Sequence, residues 1–504
     1  MSEDMYDVAV IGAGPGGYHT AVRGAQYGAK VALIEKENMG GTCLNWGCIP
    51  TKALYASSAL IQKIKEKGEE FGIENCAENM KLNFAKAVDR KNEVVKELVD
   101  GIEKLEKGWK NDIYYGHGKL VGGNKNEGFE ILVEGDETAT IKAKRVILAT
   151  GSTPAMIPAF NIDHERILTS DDILHPEFKK VPKKLLIIGA GVIGCEFANI
   201  FRTFGSEVEM LEYLPNPIAT EERLVIRELM KKFDEMDIKI HTSQNVLEVV
   251  NTGDGVKATT VSADVPRDEV DQAEKNTFEA DYCLVSIGRA KESSNLGLEE
   301  MGIETERGAI KVNTDTLETA ADGIYAIGDV TGGVMLAHVA SYEGDVALAN
   351  ALSDLGDFPV EPQTTNYSVV PATIFTNPNI GSVGLRRSQA KEQGIDVAMG
   401  RFAFASLGKA KCMGEEEGFI MILANKENGE IVGASCIGAE APELISEIAL
   451  AMHHGLSVHD IGEVIHSHPT ISEMVMEGAE DVIGMAVHKK GRPDHEFLKK
   501  LRKH

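Results

Sequence analysis

The segment Gly40-Gly-Thr-Cys-Leu-Asn-Trp-Gly-Cys-Ile-Pro-Thr-Lys52 holds the densest reactive chemistry in the chain. Cys43 and Cys48 stand five residues apart, whereas the other five cysteines (Cys76, Cys195, Cys283, Cys412 and Cys436) are isolated in sequence. Two thiols this close can cycle between dithiol and disulfide. On an ideal helix five residues advance about 7.5 Å along the axis and turn about 140° around it. A disulfide needs Cα atoms within about 7 Å. The two can therefore bridge only where the helix start is distorted, and Gly47 and Pro50 are the residues that could distort it; otherwise they are unlinked core cysteines. A cystine at a helix N-terminus is readily reduced, because the helix dipole stabilises thiolates. Lys52 falls four residues after Cys48 and shares its helical face, so its charge favours a thiolate there or a reduced cofactor nearby.

A second chemical group is His466-Ser-His-Pro-Thr-Ile-Ser-Glu473. A neutral imidazole takes a proton from a thiol near neutral pH. A carboxylate can fix its tautomer and stabilise the imidazolium. No nearby cysteine or spaced carboxylate completes a metal site around these histidines, so none is expected.

The elements that must position these groups begin with a strand, Asp7–Ile11, then the turn Gly12-Ala-Gly-Pro-Gly-Gly17, a helix to about Gly28, and a strand ending at Glu35. The pattern recurs as Leu185–Ile188, Gly189-Ala-Gly-Val-Ile-Gly194, a helix to about Phe204, and a strand ending at Glu212. In both copies the acid lies 23 residues after the first glycine. In each, the first glycine (Gly12, Gly189) permits a tight turn and the second (Gly14, Gly191) lets backbone approach a pyrophosphate. The third (Gly17, Gly194) lets helix and strand pack closely, and the helix N-terminus meets the phosphates. Glu35 and Glu212 are placed to accept from ribose hydroxyls. A carboxylate at Glu212, with no Lys or Arg before Arg223, favours NAD over NADP at the second site.

Between the repeats lies a charged helical region, roughly 52–109, and strands ending in Val146–Gly151; further strands follow around Tyr282–Ile287 and Gly323–Asp329. From about residue 360, strands near 380–384, 418–424 and 430–437 alternate with helical stretches at Pro442–His454 and Ser472–Val487, an α+β texture. The basic end from Gly491 reads as a solvated tail. The 504 residues, 43% apolar and 26% charged, suit a soluble enzyme of about three domains. A net charge of −26 argues against nucleic acid or anionic membrane as partner. No apolar run is long enough to span a bilayer, and the first residues show no secretory pattern. Seven sparse cysteines do not suit a secreted disulfide scaffold, so a reducing, cytoplasmic setting is expected.

Taken together, these motifs resemble the flavin-dependent pyridine nucleotide–disulfide oxidoreductases. The resemblance runs to about residue 488. It rests on Gly40–Leu54, Ala149-Thr-Gly151, Gly189–Gly194, Ser286-Ile-Gly-Arg289, Ile327-Gly-Asp329, Met335-Leu-Ala-His338 and His466–Glu473. It implies an α/β fold of two doubly wound dinucleotide-binding domains plus a C-terminal α+β dimerisation domain. The FAD domain would be discontinuous (1–152 and 285–355), the NAD domain would cover 153–284, the interface domain 360–488, and the basic tail 489–504. FAD would contact Gly12, Gly14, Gly17, Glu35, Thr42, Lys52, Gly118, Thr150, Gly151, Arg289, Asp329 and Ala337. NAD would contact Gly189, Gly191, Gly194, Glu212, Val246 and Gly288. Lys52 would lie by the flavin, paired with Glu196.

The resemblance also implies a reaction: oxidation of protein-bound dihydrolipoyl groups, with NAD⁺ as acceptor. His468, oriented by Glu473, would deprotonate a substrate thiol that attacks Cys43 of a Cys43–Cys48 disulfide. Cys48 would pass electrons to FAD and so to NAD⁺. The His468–Glu473 dyad would come from the other subunit of a homodimer. The lipoyl carrier would be the acyltransferase of a 2-oxoacid dehydrogenase complex or a glycine-cleavage-type protein. Glutathione-reductase-like enzymes differ in using NADP and basic residues after the second repeat strand. Mercuric-reductase-like enzymes need a C-terminal cysteine pair, and no cysteine follows Cys436; coenzyme A disulfide reductases use a single active cysteine. A flavin-binding scaffold without turnover is set apart by whether NADH bleaches the flavin. A histidine base predicts that dithiol oxidation falls away in mildly acidic buffer; a flat rate between about pH 5 and 8 contradicts it.

Overall fold

The computed structural model describes residues 5–75 and 79–501. Cys76, the first four residues and the basic residues Arg502 and Lys503 lie outside them. The first sheet has parallel strands Asp112–Tyr115, Val31–Glu35, Met5–Ile11 and Thr138–Leu148 in that spatial order. Antiparallel strands Gly128–Glu134 and His117–Asn124 extend it, and Ile324–Ala326 returns from far along the chain to lie parallel to Thr138–Leu148. The second sheet is fully parallel, in the order Ile238–His241, Glu207–Leu211, Lys184–Ile188, Tyr282–Val285 and Ile167–Leu168. Residues 185–188, 283–285 and 167–168 are buried on both faces, which is why they read as continuous apolar runs. An antiparallel ribbon, Ser152–Pro154 against Arg289–Lys291, joins the two sheets where the chain enters and leaves the second.

The C-terminal region is a five-stranded antiparallel sheet, ordered Ala372–Ile374, Asn379–Gly384, Ile431–Gly438, Phe419–Asn425 and Val397–Ala403. Helices Ala441–His453 and Glu473–Val482 pack on it. Glycine allows the closest approach: a Cβ on Gly400 would come within 2.3 Å of the Gly478 carbonyl.

Two long helices, Cys48–Lys67 and Phe84–Gly108, fill the charged stretch between the repeats. The second is started by Asn83, whose side chain accepts from the Lys86 N–H. Leu54, Phe84 and Val88 from this pair share one core with Phe197 and Phe201 of the second repeat and with Ile374, Phe419 and Ile437 of the C-terminal sheet. The helix that carries Cys48 is thus held by apolar burial from all three regions, each such side chain contributing about 1.5–3 kcal/mol.

Two expectations are corrected. The helix expected over Ser472–Val487 spans Glu473–Val482 and ends before Gly484, which takes φ +71. The end of the chain is not a solvated tail. Helix His495–Leu501 buries Phe497 and Leu501 in the C-terminal core, capped by Asp494, whose carboxylate accepts from the Phe497 N–H. Lysines dominate the composition there, and the two apolar anchors are spaced one helical turn apart. Phe497→Ala is expected to destabilise the protein by about 3 kcal/mol, read as an earlier midpoint in denaturant; an unmoved midpoint would restore the solvated tail.

Candidate active site

The redox segment is two helices. Gly41–Asn45 ends at Trp46, and Cys48–Lys67 starts after Gly47. A Cβ on Gly47 would stand 3.0 Å from the Thr42 carbonyl oxygen and 3.4 Å from the Cys43 Cα, so a side chain there would press the second helix away from the first. The break brings the Cys43 and Cys48 side chains into hydrogen-bond contact. The hydrogen bond from Cys43, followed by the Lys52 charge, outweighs burial and brings Cys48 down to about 7. The same hydrogen bond and burial push Cys43 up. Of the two, Cys48 is therefore the one that ionises first, with Cys43 kept as the thiol.

Lys52 Nζ donates to both Glu196 oxygens, at 2.9 and 2.8 Å. Glu196 sits on helix Val192–Phe204 of the second repeat and is buried. The Phe375 N–H donates to Glu196 Oε1 at 2.9 Å, and Lys52 Nζ lies 4.7 Å from the Phe375 ring centroid. Phe375 was not singled out from the sequence, where it reads as one more apolar residue at a strand end.

The two nucleotide cradles match atom for atom. The Ala13 N–H donates to Glu35 Oε2 at 2.7 Å, and the Ala190 N–H to Glu212 Oε2 at 2.6 Å. The N–H groups of Glu37 and Leu214 occupy the other oxygens, both at 2.8 Å. Burial raises the Glu35 carboxyl against those two donors. A Cβ on Gly17 would collide with the Gly12 carbonyl at 1.8 Å, and one on Gly194 with that of Gly189 at 2.0 Å. Around Gly14 and Gly191, by contrast, a Cβ would meet nothing within 4 Å, which leaves the floor of each cradle open. Pro15 opens the first helix without wasting an N–H. Both cradles fit a dinucleotide.

A cavity of about 1240 Å³ runs from the first cradle to the cysteines. That exceeds the roughly 300–1,000 Å³ of sites for drug-sized ligands. Gly12, Gly14, Glu35, Thr42, Cys43, Cys48, Lys52, Gly118, Thr150, Gly151, Glu196, Arg289, Asp329 and Ala337 all line it. Gly17 lies behind its wall. Arg289 is a largely buried side chain rather than a surface charge: it donates to Ser152 Oγ and to the Ser152 carbonyl, both at 2.7 Å. Ser152 Oγ in turn donates to Asp329 at 2.5 Å. Gly189, Gly191, Gly194, Glu212, Val246 and Gly288 do not line this cavity, but Val192 and Ile193, at the start of the second cradle's helix, do.

A smaller cavity of about 330 Å³ lies beside it, walled by Tyr18, Leu44, Ile49, Leu98 and Ile102 among others. Cys43 lines both cavities, whereas Cys48 lines only the larger one. Nothing in the sequence marked this second space.

His468 is not brought to the cysteines of its own chain; it lines neither cavity and its side chain is 78% exposed. Its Nδ1 meets Glu473 Oε1 at 2.9 Å, which leaves Nε2 directed elsewhere. Burial would raise the Glu473 carboxyl, but the bonds from His468 and the Thr470 N–H, with the imidazole charge, hold it below the usual range. His466 is differently placed: it is buried with both ring nitrogens engaged, by the Val464 carbonyl and Glu447. Among the described residues, no group of three or more His, Cys, Asp or Glu side chains could hold a metal ion.

Two dinucleotide cradles, with a cysteine pair between the first and the start of the second, define a nucleotide-dependent disulfide oxidoreductase. The chain belongs to the pyridine nucleotide-disulphide oxidoreductase family, which it matches over residues 6–344, with that family's dimerisation domain matched over 370–479. Enzymes of this family use FAD and a nicotinamide nucleotide. The chain is 39% identical to the dihydrolipoyl dehydrogenase of Chlamydia trachomatis over 488 residues, 96% of this chain and 98% of that one. It is 38% identical to that of Bacillus subtilis over 488 residues, 96% and 99% of the two chains. Among solved structures it resembles LpdA of Mycobacterium tuberculosis (TM-score 0.84, 25% identity, 94% and 98% coverage). It also resembles the HOCl-induced flavoprotein disulfide reductase RclA of Escherichia coli (TM-score 0.80, 26% identity, 95% and 99% coverage).

In the reduced protein, alkylation of Cys48 is expected to titrate near pH 7. Cys43→Ala should move that midpoint upward, because the donor that most stabilises the thiolate is gone. The rate of iodoacetamide labelling against pH checks this, and a midpoint that stays put overturns the assignment of the thiolate to Cys48.

Proposed function

We propose that this chain is a dihydrolipoyl (dihydrolipoamide) dehydrogenase, oxidising protein-bound dihydrolipoyl groups to lipoyl disulfide with NAD⁺ as acceptor. The observation that carries the reading is the position of Cys43 in the wall between two cavities, with Cys48 facing only the larger. A dithiol entering the smaller, apolar cavity reaches Cys43 alone. In the oxidised enzyme the two cysteines are a disulfide. His468 Nε2 accepts the proton of one substrate thiol while Glu473, on Nδ1, stabilises the imidazolium. The substrate thiolate bonds to Cys43 Sγ, the Cys43–Cys48 bond breaks, and Cys48 leaves as the thiolate that Lys52 favours. The second substrate thiol then attacks the substrate sulfur held on Cys43; that bond to Cys43 breaks as the lipoyl disulfide closes, the thiol's proton passes to the leaving Cys43 sulfur, and both cysteines are left reduced. When bound, FAD would supply a two-electron relay between the cysteine pair and NAD⁺.

On this reading Gly12, Gly14, Gly17, Glu35 and Asp329 hold the flavin nucleotide, and Gly189, Gly191, Gly194 and Glu212 hold NAD. Because His468 lies away from the cysteines of its own chain, the dyad of one subunit serves the cysteine pair of the other. Exposed Leu450, Ile465 and Val487 in the same region give a homodimer apolar surface to bury. The lipoyl group arrives on a carrier protein, the acyltransferase of a 2-oxoacid dehydrogenase complex or a glycine-cleavage-type carrier. Seven cysteines sparsely spread over the chain favour the cytoplasm. Among the described residues no helix is long and apolar enough to cross a membrane.

The test is an absorbance spectrum of the holoenzyme during anaerobic titration with dihydrolipoamide, followed by NAD⁺. The expected result is a long-wavelength thiolate-to-flavin band that disappears as NAD⁺ reoxidises the protein. A flavin that responds to NADH but never to dihydrolipoamide sinks the dihydrolipoyl assignment and points to another small disulfide.

A further inference from the structure

The helix that presents Glu473 carries a second histidine–carboxylate pair one turn further on. Glu477 follows Glu473 by four residues, so the two carboxylates share a face. The Glu477 side chain is 2% exposed, more deeply buried than that of Glu473 at 14%. Its partner is His488, which the chain brings back after the turn at Gly484. His488 Nδ1 meets Glu477 Oε1 at 2.6 Å, and the His488 N–H donates to Oε2 at 3.3 Å. One residue thus occupies both oxygens, and its imidazole is otherwise open to solvent.

We infer that the Glu477–His488 pair sets the charge around the His468–Glu473 dyad, and that His488 is a positioning residue keeping the base in its neutral, proton-accepting form. This rests on the reading of His468 as the base. Glu473, Glu477 and Glu480 all lie within two turns of one helix. Unopposed, their charge would favour imidazolium at His468 and disable the base at the acidic end of its range. A cation at His488 cancels one of them. The hydrogen bond to Glu477, then that carboxylate's charge, raises His488, and His488 in turn helps to hold Glu473 low. Glu480 is raised by burial and by Glu477, and its Oε2 has no hydrogen-bond partner.

Several of the charged groups on elements packed here have partners of their own, while Glu443 and His453 lie on the neighbouring helix Ala441–His453. Asp481 takes Lys489 and the Arg401 N–H, and the Arg401 guanidinium lies over the Phe419 ring. Glu447 takes His466, Asp460 caps its own helix at Ser457, and Glu463 pairs with His459.

The experiment is kcat/KM for dihydrolipoamide against pH in the holoenzyme dimer, each variant normalised to its own plateau. His488→Gln should move the acidic limb to higher pH, lowering the normalised rate about threefold on that limb. Glu477→Gln should move it the other way, and the double variant should lie near the wild type. His488→Lys, which restores a cation, should recover most of the loss. A merely structural role would lower the whole profile without this reversal of sign. The exposed His488 keeps the test usable if Glu477→Gln does not fold. A wild-type enzyme with no acidic limb defeats the reading of His468 as base. A normal wild-type limb with His488→Gln superimposed on it defeats this inference alone. Nuclear magnetic resonance of labelled histidine gives a readout independent of turnover: the His468 titration should rise in His488→Gln, and an unchanged titration overturns the proposal.

Discussion

One ion pair fastens the chemistry to the fold. Glu196 is buried on a helix of the second repeat, and a buried carboxylate without a cation is costly enough that removing the partner destabilises by about 3–5 kcal/mol. Lys52 supplies that cation from the helix that also carries Cys48, and the Phe375 N–H adds a donor from the C-terminal sheet. Three regions distant in sequence therefore meet at one carboxylate. The apolar core beneath repeats the arrangement, with Leu54 and Phe84 packed against Phe197, Phe201 and Phe419. Polar specificity and hydrophobic burial fix the same helix, so the charge beside Cys48 is set by the architecture rather than by a free side chain.

The repeat shows how much a local rule determines. A strand, a turn of small residues and a helix force the first glycine against the neighbouring strand. In both copies the third glycine lies where any side chain would strike the first glycine's carbonyl. The acid is then placed by strand length alone, which is why Glu35 and Glu212 make the same pair of backbone bonds. Such features are legible because the constraint lies within about thirty residues of chain.

What was not legible depends on long-range packing. Phe375 and the cavity wall of Tyr18, Leu98 and Ile102 are apolar residues at helical or strand spacing, indistinguishable in sequence from core. Their position beside Lys52 and Cys43 comes from tertiary assembly. The C-terminal helix was masked by its lysines, since composition weighs a charged majority above two buried anchors. His488 is one of 14 histidines and acquires meaning only when the turn at Gly484 returns it to Glu477. The resemblance to a known family supplied the roles of His468 and Asp329, which the residue types by themselves left open.

The two cavities share a wall made by Pro15, Cys43, Ala337 and His338, and of these only Cys43 has an atom that can change oxidation state. On the proposed reading, that sulfur is where the two chambers are joined for electrons. A thiol and a nucleotide can be handled in turn without occupying a common space. One side can be reshaped to accept a different disulfide while the other keeps its nucleotide, which is how a single scaffold can serve many thiol substrates.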